Sequence, residues 1–218
     1  PNNLLITNAR IVTPTGFSAR KGSEMGKLKI ISNGYVEIMN GHITHVGETP
    51  YPESRPAIAH LDAGGKCLLP GFVDSHTHFV FGGERSEEFS WRLKGESYMS
   101  IMEKGGGIAS TVRVTRNETA DSLIAKATVF LNSMSRMGIT TVEGKSGYGL
   151  DKETEIRQLE VMRHLSEAND RLVDVVPTFL GAHAVPKEYE GRAADYIDYI
   201  ISEVLPEIHS RKLAEFCD

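Results

Sequence analysis

The chain has 218 residues, of which 40% are hydrophobic and 24% are charged, and its formal net charge is −5. This composition excludes a disordered protein, because there is enough apolar side chain to build a core, and the acidic balance argues against nucleic acid as a partner. No apolar run is long enough to cross a membrane, and the first residues lack the basic segment of a secretion signal. We therefore expect a cytoplasmic protein with no membrane partner. Its two cysteines, Cys67 and Cys217, make no disulfide framework.

The first 66 residues carry the patterns of β-strands. The clearest is a hairpin, in which apolar and polar residues alternate over 35–39 and 42–47 on either side of Asn40-Gly41. Asn-Gly is the preferred pair for a type I′ turn, whose twist matches that of two antiparallel strands. Further short strands are predicted over 4–6, 9–12 and 57–61.

From about residue 68 onward, the pattern changes to alternating strands and helices. Strands are predicted over 68–78, 139–145, 172–181 and 213–218, and helices over 118–137, 151–168 and 195–211. Asn117 or Thr115 is the expected cap of the first helix and Asp151 that of the second, while Pro206 should kink or divide the third. Strands that alternate with helices imply a parallel sheet.

The number of these units predicts an incomplete barrel. An eight-stranded β/α barrel needs about 250 residues, whereas only about 150 residues, enough for four units, follow the N-terminal segment. We therefore predict two domains. Residues 1–66 form the N-terminal part of a small β domain, and residues 67–218 form the first half of a β/α barrel that continues in a longer polypeptide.

His76-Thr77-His78 is the strongest candidate for chemistry. Two histidines two residues apart on a strand lie on the same face, close enough to share a metal ion, and paired imidazoles suit both Zn²⁺ and Fe²⁺. The pair ends an apolar strand, and β/α barrels place their active sites at the C-terminal ends of strands. The pattern predicts a metal site. Two hydrogen-bonded core histidines are the alternative interpretation.

Together with its surroundings, this motif resembles the metal-dependent amidohydrolases, in which a small β-sandwich domain precedes a (β/α)8 TIM-like barrel. Further segments make the chain most similar to the imidazolonepropionase family, over essentially all of its length but about half of that enzyme, the N-terminal half. These segments are Phe79–Arg85, Gly105–Ile108, Glu143–Leu150 and Thr178–His183. The Lys-Ser-Gly-Tyr-Gly-Leu string is the most specific, because other amidohydrolases do not share it.

The resemblance implies a hydrolase of histidine degradation that acts on a cyclic amide. Its reaction would be the hydrolysis of 4-imidazolone-5-propanoate to N-formimidoyl-L-glutamate by a metal-activated water. His76 and His78 would be ligands of one divalent metal ion, Zn or Fe, which acidifies the water and polarises the ring carbonyl. A second metal bridged by a carbamylated Lys145 is not expected. A small-molecule substrate and a homodimer are implied in the same way.

Four residues are implied to serve the substrate. The substrate carries a propionate, which the guanidinium of Arg85 suits, although a loop ion pair with a nearby glutamate is the alternative for this side chain. Tyr148 and, more weakly, Tyr98 would also bind substrate, with simple packing as their alternative. His183 follows a strand end and is implied to contact the substrate and, as a catalytic residue, to stabilise charge on the attacked oxygen.

Two other functions stay open. A deaminase of an aminoazine or nucleobase could use the same scaffold, although Arg85 and the 145–150 loop favour a carboxylate-bearing substrate, and a deaminase would release ammonia. An inactive, truncated paralogue that binds a metal or a partner is the third hypothesis. Because the family's third metal histidine and its aspartate are not found in this sequence, we expect residues 1–218 alone not to turn over substrate.

Overall fold

The computed structural model describes residues 2–16, 18–51, 59–168 and 172–218. The chain divides into two units, Pro1–Pro70 and Gly71–Asp218, each with its own sheet. The strands of the first unit are β1 (Leu4–Pro14), β2 (Leu28–Met39), β3 (His42–Glu48), β4 (Ala59–Asp62) and β5 (Cys67–Leu68). The strands of the second are β6 (Phe72–Thr77), β7 (Ile139–Lys145), β8 (Asp174–Phe179) and β9 (Phe216–Cys217). Its helices are α1 (Ser86–Leu93), α2 (Tyr98–Glu103), α3 (Ile108–Asn117), α4 (Ala120–Arg136), α5 (Lys152–Glu167), α6 (Ala193–Tyr199) and α7 (Leu205–Ser210).

These elements confirm the predicted α/β class. None of the helices in the described part of the chain is both long and apolar enough to cross a membrane.

The hairpin predicted in the first unit is confirmed. β2 and β3 pair antiparallel, and Asn40 and Gly41 join them with φ angles of 52° and 79°. A type I′ turn needs these left-handed conformations at both central positions, which is why the Asn-Gly pair predicted it.

β1 is the central strand of the first unit. It pairs antiparallel with β2 and parallel with both β4 and β5. The sequence predicts two short strands here, but β1 is one strand with an irregular register around Asn8, whose φ is 53°. β4 overlaps the predicted strand 57–61 at residues 59–61 and ends one residue later, while residues 57 and 58 fall outside the described ranges. The core of this unit consists of Ile6, Ala9, Ile11, Ile31 and Val36.

The second unit is built on the predicted parallel sheet. Its strands lie in the order β6-β7-β8-β9, and every neighbouring pair is parallel. One face is covered by α4 and α5, whose buried Ala127 and Leu159 join Val142 and Val175 of the strands in a single core. The other face carries Val73, which is 67% exposed. The helices thus fix one face of the sheet, and the strand ends are left to form a site.

The strand predicted over 68–78 is wrong in its extent. β5 pairs with β1 in the first sheet, and the second sheet begins at Phe72 in β6. Pro70 lies between the two strands and has no backbone N–H to donate, so it interrupts the pairing. The two units therefore divide between Pro70 and Gly71.

The predicted N-terminal cap is confirmed for α5 and is wrong for α4. Asp151 caps α5 as predicted, since its carboxylate accepts a first-turn backbone N–H at 2.8 Å. α4 is capped by Thr119, whose hydroxyl oxygen accepts a first-turn N–H at 3.2 Å. Asn117 and Thr115, the predicted caps, lie in the separate helix α3, which the sequence pattern did not predict.

The last predicted helix is divided, as Pro206 led us to expect. Between α6 and α7, residues Ile200–Val204 form a π-helical segment, and Pro206 sits in the first turn of α7. Proline has no N–H for the α-helical hydrogen bond, and the local change to π-helical pairing accommodates that loss. Two short 3-10 helices, Gly22–Gly26 and Lys187–Tyr189, complete the described elements.

Candidate metal and substrate site

Three predicted site residues meet at the C-terminal end of the parallel sheet. His78 follows β6, Tyr148 follows β7 and His183 follows β8. The ring centroids of His78 and Tyr148 lie 4.6 Å apart, those of His78 and His183 lie 5.9 Å apart, and those of Tyr148 and His183 lie 6.2 Å apart. Because parallel strands end at one edge, three loops distant in sequence supply one cluster.

The predicted metal ligands belong to this cluster. The rings of His76 and His78 are 5.8 Å apart between centroids, and the backbone N–H of His76 donates to Asp74 Oδ1 at 3.2 Å. His76 is exposed, whereas His78 is half-buried. Burial, reinforced by the neighbouring His183 and His76, lowers the pKa of His78 to about 4. His78 is therefore neutral at pH 7, the form that binds metal ions.

One buried atom in this cluster lacks the partner that a core histidine would have. His78 Nδ1 is buried and makes no hydrogen bond, the only such side-chain atom in the described part of the chain. A buried polar atom is normally hydrogen-bonded, so this nitrogen has a lone pair to offer to a ligand. The residues fit a metal ion in this respect. The described residues contain no group of three or more His, Cys, Asp or Glu side chains suited to hold one.

The loop after β7 holds His183 in one tautomer. His183 Nε2 lies 2.6 Å from the carbonyl oxygen of Gly147. A carbonyl oxygen only accepts, so Nε2 carries the proton and Nδ1 is the nitrogen left for other contacts. Gly147 has a φ of 105°, and a Cβ there would lie 2.8 Å from His183 Nε2 and 2.7 Å from the carbonyl oxygen of Leu180. Only glycine fits this position.

An ionic cluster around a buried lysine, which the sequence analysis did not predict, lies at the ends of β7 and β9. Lys145 Nζ donates to Glu143 Oε1 at 2.7 Å and to Asp218 Oδ2 at 2.8 Å, and Thr178 also donates to Glu143 at 2.7 Å. The Lys145 side chain is 4% exposed. A groove of about 610 Å³ on the uncovered face of the sheet is lined by Glu143, Lys145, Asp218 and His76. Glu143 and Lys145 are two residues apart on one strand, and this spacing could have predicted an ion pair between them.

The other two predicted substrate residues are Arg85 and Tyr98. Arg85 precedes α1, and its guanidinium is 3.9 Å from the buried carboxylate of Glu88. It lines a separate cavity of about 310 Å³ together with Trp91 and Lys104. Tyr98 begins α2 and is 58% exposed. Within the described part of the chain, no hydrogen bond, ion pair or ring contact joins Arg85 or Tyr98 to the histidines.

Comparison with known proteins identifies relatives of this chain. No family model matches the chain. Individual relatives do: it is 64% identical over 220 residues to an imidazolonepropionase of Bacteroides thetaiotaomicron and 52% identical over 222 residues to one of Clostridium tetani. Each alignment covers 99% of this chain and 52% of the relative.

This chain matches imidazolonepropionases along its whole length. The resemblance inferred from its motifs is confirmed. The chain spans about half the length of the curated imidazolonepropionases that it matches.

Two of the solved structures with a similar fold are deaminases. A 5-methylcytosine deaminase from Klebsiella pneumoniae, 17% identical, aligns with 88% of this chain and 41% of its own, with a TM-score of 0.52. The guanine deaminase of E. coli, 18% identical, aligns with 91% of this chain and 42% of its own, with a TM-score of 0.50. At such low identity the likeness concerns the fold alone.

Proposed function

We propose that this chain is the N-terminal half of an imidazolonepropionase. The reaction is hydrolysis of 4-imidazolone-5-propanoate to N-formimidoyl-L-glutamate. The observation that carries the proposal is the cluster of His76, His78, Tyr148 and His183 at one end of the sheet, in a chain that matches this family throughout. By the same resemblance, the first unit is part of a β-sandwich domain, the second is half of a (β/α)8 barrel, and the enzyme is a cytoplasmic homodimer.

The metal ligands in this proposal are His76 and His78. The unpartnered Nδ1 of His78 supports this role, and the lowered pKa of His78 keeps its ring neutral. When bound, a divalent ion of zinc or iron lowers the pKa of a water molecule and polarises a carbonyl group. Two imidazoles suit both metals.

His183 and Tyr148 act on the substrate in this proposal. Because the Nε2–H of His183 is already donated to Gly147, only a proton on Nδ1 could stabilise negative charge on the attacked oxygen. We therefore assign to His183 the contact with the attacked oxygen, made through the Nδ1 side of its ring. The phenol of Tyr148, which lies against His78, can donate or accept a hydrogen bond to the imidazolone ring.

Arg85 is proposed to bind the propionate. Its side chain is 42% exposed, and its only described ion pair is the 3.9 Å contact with Glu88. A guanidinium so placed can still form two parallel hydrogen bonds with a carboxylate. Tyr98, on the next helix, is the weaker candidate for the same substrate.

The proposal is tested with a chimera, in which this chain replaces the matching half of the Bacteroides thetaiotaomicron relative. We expect the purified chimera, loaded with zinc or iron, to consume 4-imidazolone-5-propanoate and to release no ammonia. Arg85→Ala should raise KM about tenfold or more, since a charged hydrogen bond is lost. Arg92→Ala, on the helix α1 that Arg85 precedes, is the matched control and should leave KM unchanged.

Two outcomes would contradict the proposal. An inactive, folded chimera beside an active parent would show that this chain lacks the function. Release of ammonia from a nucleobase or aminoazine would instead favour a deaminase, which the fold alone also permits.

A further inference from the structure

A fully buried carboxylate holds the loop that carries Tyr148. Glu155, on α5, is 1% exposed. Its Oε1 accepts the backbone N–H groups of Gly149 and Leu150, both at 2.8 Å, and its Oε2 accepts that of Gly147 at 2.9 Å. Every one of these partners is a donor, so they match a carboxylate and no other side chain of similar size.

A second side chain of α5 completes the hold on this loop. Gln158, three residues after Glu155 and on the same face of the helix, accepts the backbone N–H of Tyr148 at 3.3 Å. Its amide group donates to the carbonyl oxygen of Val80 at 2.7 Å. Four consecutive amides, those of residues 147–150, are therefore fixed by two buried side chains of one helix.

The same loop reaches His183 by two routes. The carbonyl oxygen of Gly147 accepts His183 Nε2–H at 2.6 Å. Ser146, whose side chain hydrogen-bonds with Glu155, accepts the backbone N–H of Leu180 at 3.1 Å, three residues before His183. Hydrogen bonds in such a chain polarise and orient one another. The geometry of His183 thus depends on a carboxylate that does not touch it.

We propose that Glu155 is a positioning residue that sets the tautomer of His183. By fixing the N–H groups of the loop, it places the Gly147 carbonyl where it demands a proton on His183 Nε2. His183 Nδ1 then remains for the substrate. The contact of Nδ1 with the substrate rests on the proposed function, whereas the tautomer of His183 does not.

The test uses NMR of residues 1–218 labelled with ¹⁵N at histidine and with ¹³C and ¹⁵N at glycine. The pH is about 8.5, where ordinary imidazoles are neutral. In the unchanged chain we expect a protonated Nε2 on His183 and a coupling through the hydrogen bond to the Gly147 carbonyl carbon. Glu155→Gln puts a donor against the loop amides. It should convert His183 to a mixture of tautomers and speed amide exchange at Gly147 and Gly149 about tenfold or more.

The control is Glu153→Gln, on the same helix with an 86% exposed side chain, which should change neither quantity. A merely stabilising role for Glu155 would lower the free energy of unfolding but leave the His183 tautomer as it was, and that result would overturn the proposal. If Glu155→Gln does not fold, the unchanged chain decides: a His183 protonated on Nδ1, with no coupling to Gly147, also overturns it. Neither result depends on activity, so the proposed function can fail separately.

Discussion

Lys145 shows how a single residue can tie two strand ends together at the mouth of the groove. Burial alone would lower the pKa of Lys145, but its hydrogen bonds to Asp218 and Glu143 outweigh burial and raise it above 10.5. The hydrogen bond from Lys145 in turn lowers the pKa of Glu143 below 4.5. The folded state thus favours the charged form of both groups.

Replacing this lysine should destabilise the fold in a pH-dependent way. Lys145→Met should lower the free energy of unfolding at pH 7 by about 1.5–3 kcal/mol, since hydrogen bonds to two charged groups are lost. Because the folded-state pKa of Glu143 is lowered, the contribution of its carboxylate is complete above about pH 4.5 and is lost as the pH falls through that lowered pKa. Contributions from Lys145 are lost only at high pH, as the pH rises through its raised pKa.

Urea denaturation between about pH 7 and pH 3 measures the difference between the two proteins, which should shrink on the acid side. Lys152→Met is the control, because the ion pair of Lys152 with Glu207 is at the surface and should be worth under about 1 kcal/mol. An equal loss in both variants, or a difference that does not change with pH, would contradict the prediction.

The two histidines of the metal motif are predicted to act together. His76→Ala or His78→Ala should weaken Zn²⁺ binding by the chain about 100-fold or more, because removal of a direct ligand should exceed the effect of removing an outer-shell partner. Calorimetric titration with Zn²⁺ checks this. His164→Ala, on α5, is the exposed control. Unchanged affinity in the His78 variant would refute the assignment.

Gly147 allows a direct comparison of backbone strain with steric crowding. Gly147→Ala and Gly191→Ala both place an alanine at positive φ, but only the Cβ at position 147 meets neighbouring atoms. Both should cost about 1 kcal/mol of strain, and Gly147→Ala about 1–3 kcal/mol more through crowding. Urea denaturation gives the two values. Equal losses would show that the loop yields to the extra carbon.

At the residue scale, the sequence predicted those side chains that can bind a metal ion or a substrate directly. The HxH pair and the glycine-flanked Tyr148 are visible as a motif, and the structure brings them together with His183. Glu155 was not predicted, because its partners are backbone amides of a loop, which leave no trace in side-chain pattern. Arg85 and Tyr98 were predicted from the resemblance, and their approach to the histidines stays a prediction.

At the element scale, strong periodic segments were predicted well and short ones were not. Strands β7 and β8 and helix α5 are confirmed because alternation, length and a capping aspartate all agree. Helices α1 to α3 were missed, since each has ten residues or fewer and lies among polar and glycine-rich residues. The break at Pro70 was missed because apolar residues on both sides mimic one continuous strand.

The revised cap of α4 leads to a prediction about that helix. Thr119→Ala should lower the free energy of unfolding by about 1 kcal/mol, because the first turn loses its side-chain acceptor. Asn117→Ala should cost less, since Asn117 lies within α3 and only its side chain bonds back to Arg113. Thermal or urea denaturation of both variants decides. A larger loss for Asn117→Ala would restore the original assignment.

At the scale of the whole molecule, one face of the sheet in the second unit is not covered by any described helix. Val73 and Phe216, 67% and 59% exposed, line the groove on that face. We expect residues 1–218 to bind a hydrophobic dye there and to self-associate at micromolar concentration. Val73→Thr should reduce both, whereas Val129→Thr, a 63% exposed control on α4, should not. Light scattering and dye fluorescence measure the two effects. Equal changes in the Val73 and Val129 variants would show that the dye binds, and the chain self-associates, through another surface.

The same polypeptide is predicted not to hydrolyse the substrate. Its described residues bring two histidines to the metal position and no third ligand, so metal binding would be weak and a general base would be lacking. A turnover assay on a sample whose intact mass is about 24.0 kDa checks this. Hydrolysis above the uncatalysed rate would show that residues within this chain complete the site.

The separation of the site from the core has a consequence for how such proteins diversify. His78, Tyr148 and His183 stand on three different loops, while the buried apolar residues that hold the sheet together lie beneath them on the helices and strands. Changes to these loops can therefore leave the apolar core intact, although the loop after β7 and His183 are joined by a hydrogen bond and must change together. One frame of this kind can carry different chemistries on its loops, and its fold is shared with a 5-methylcytosine deaminase that is only 17% identical.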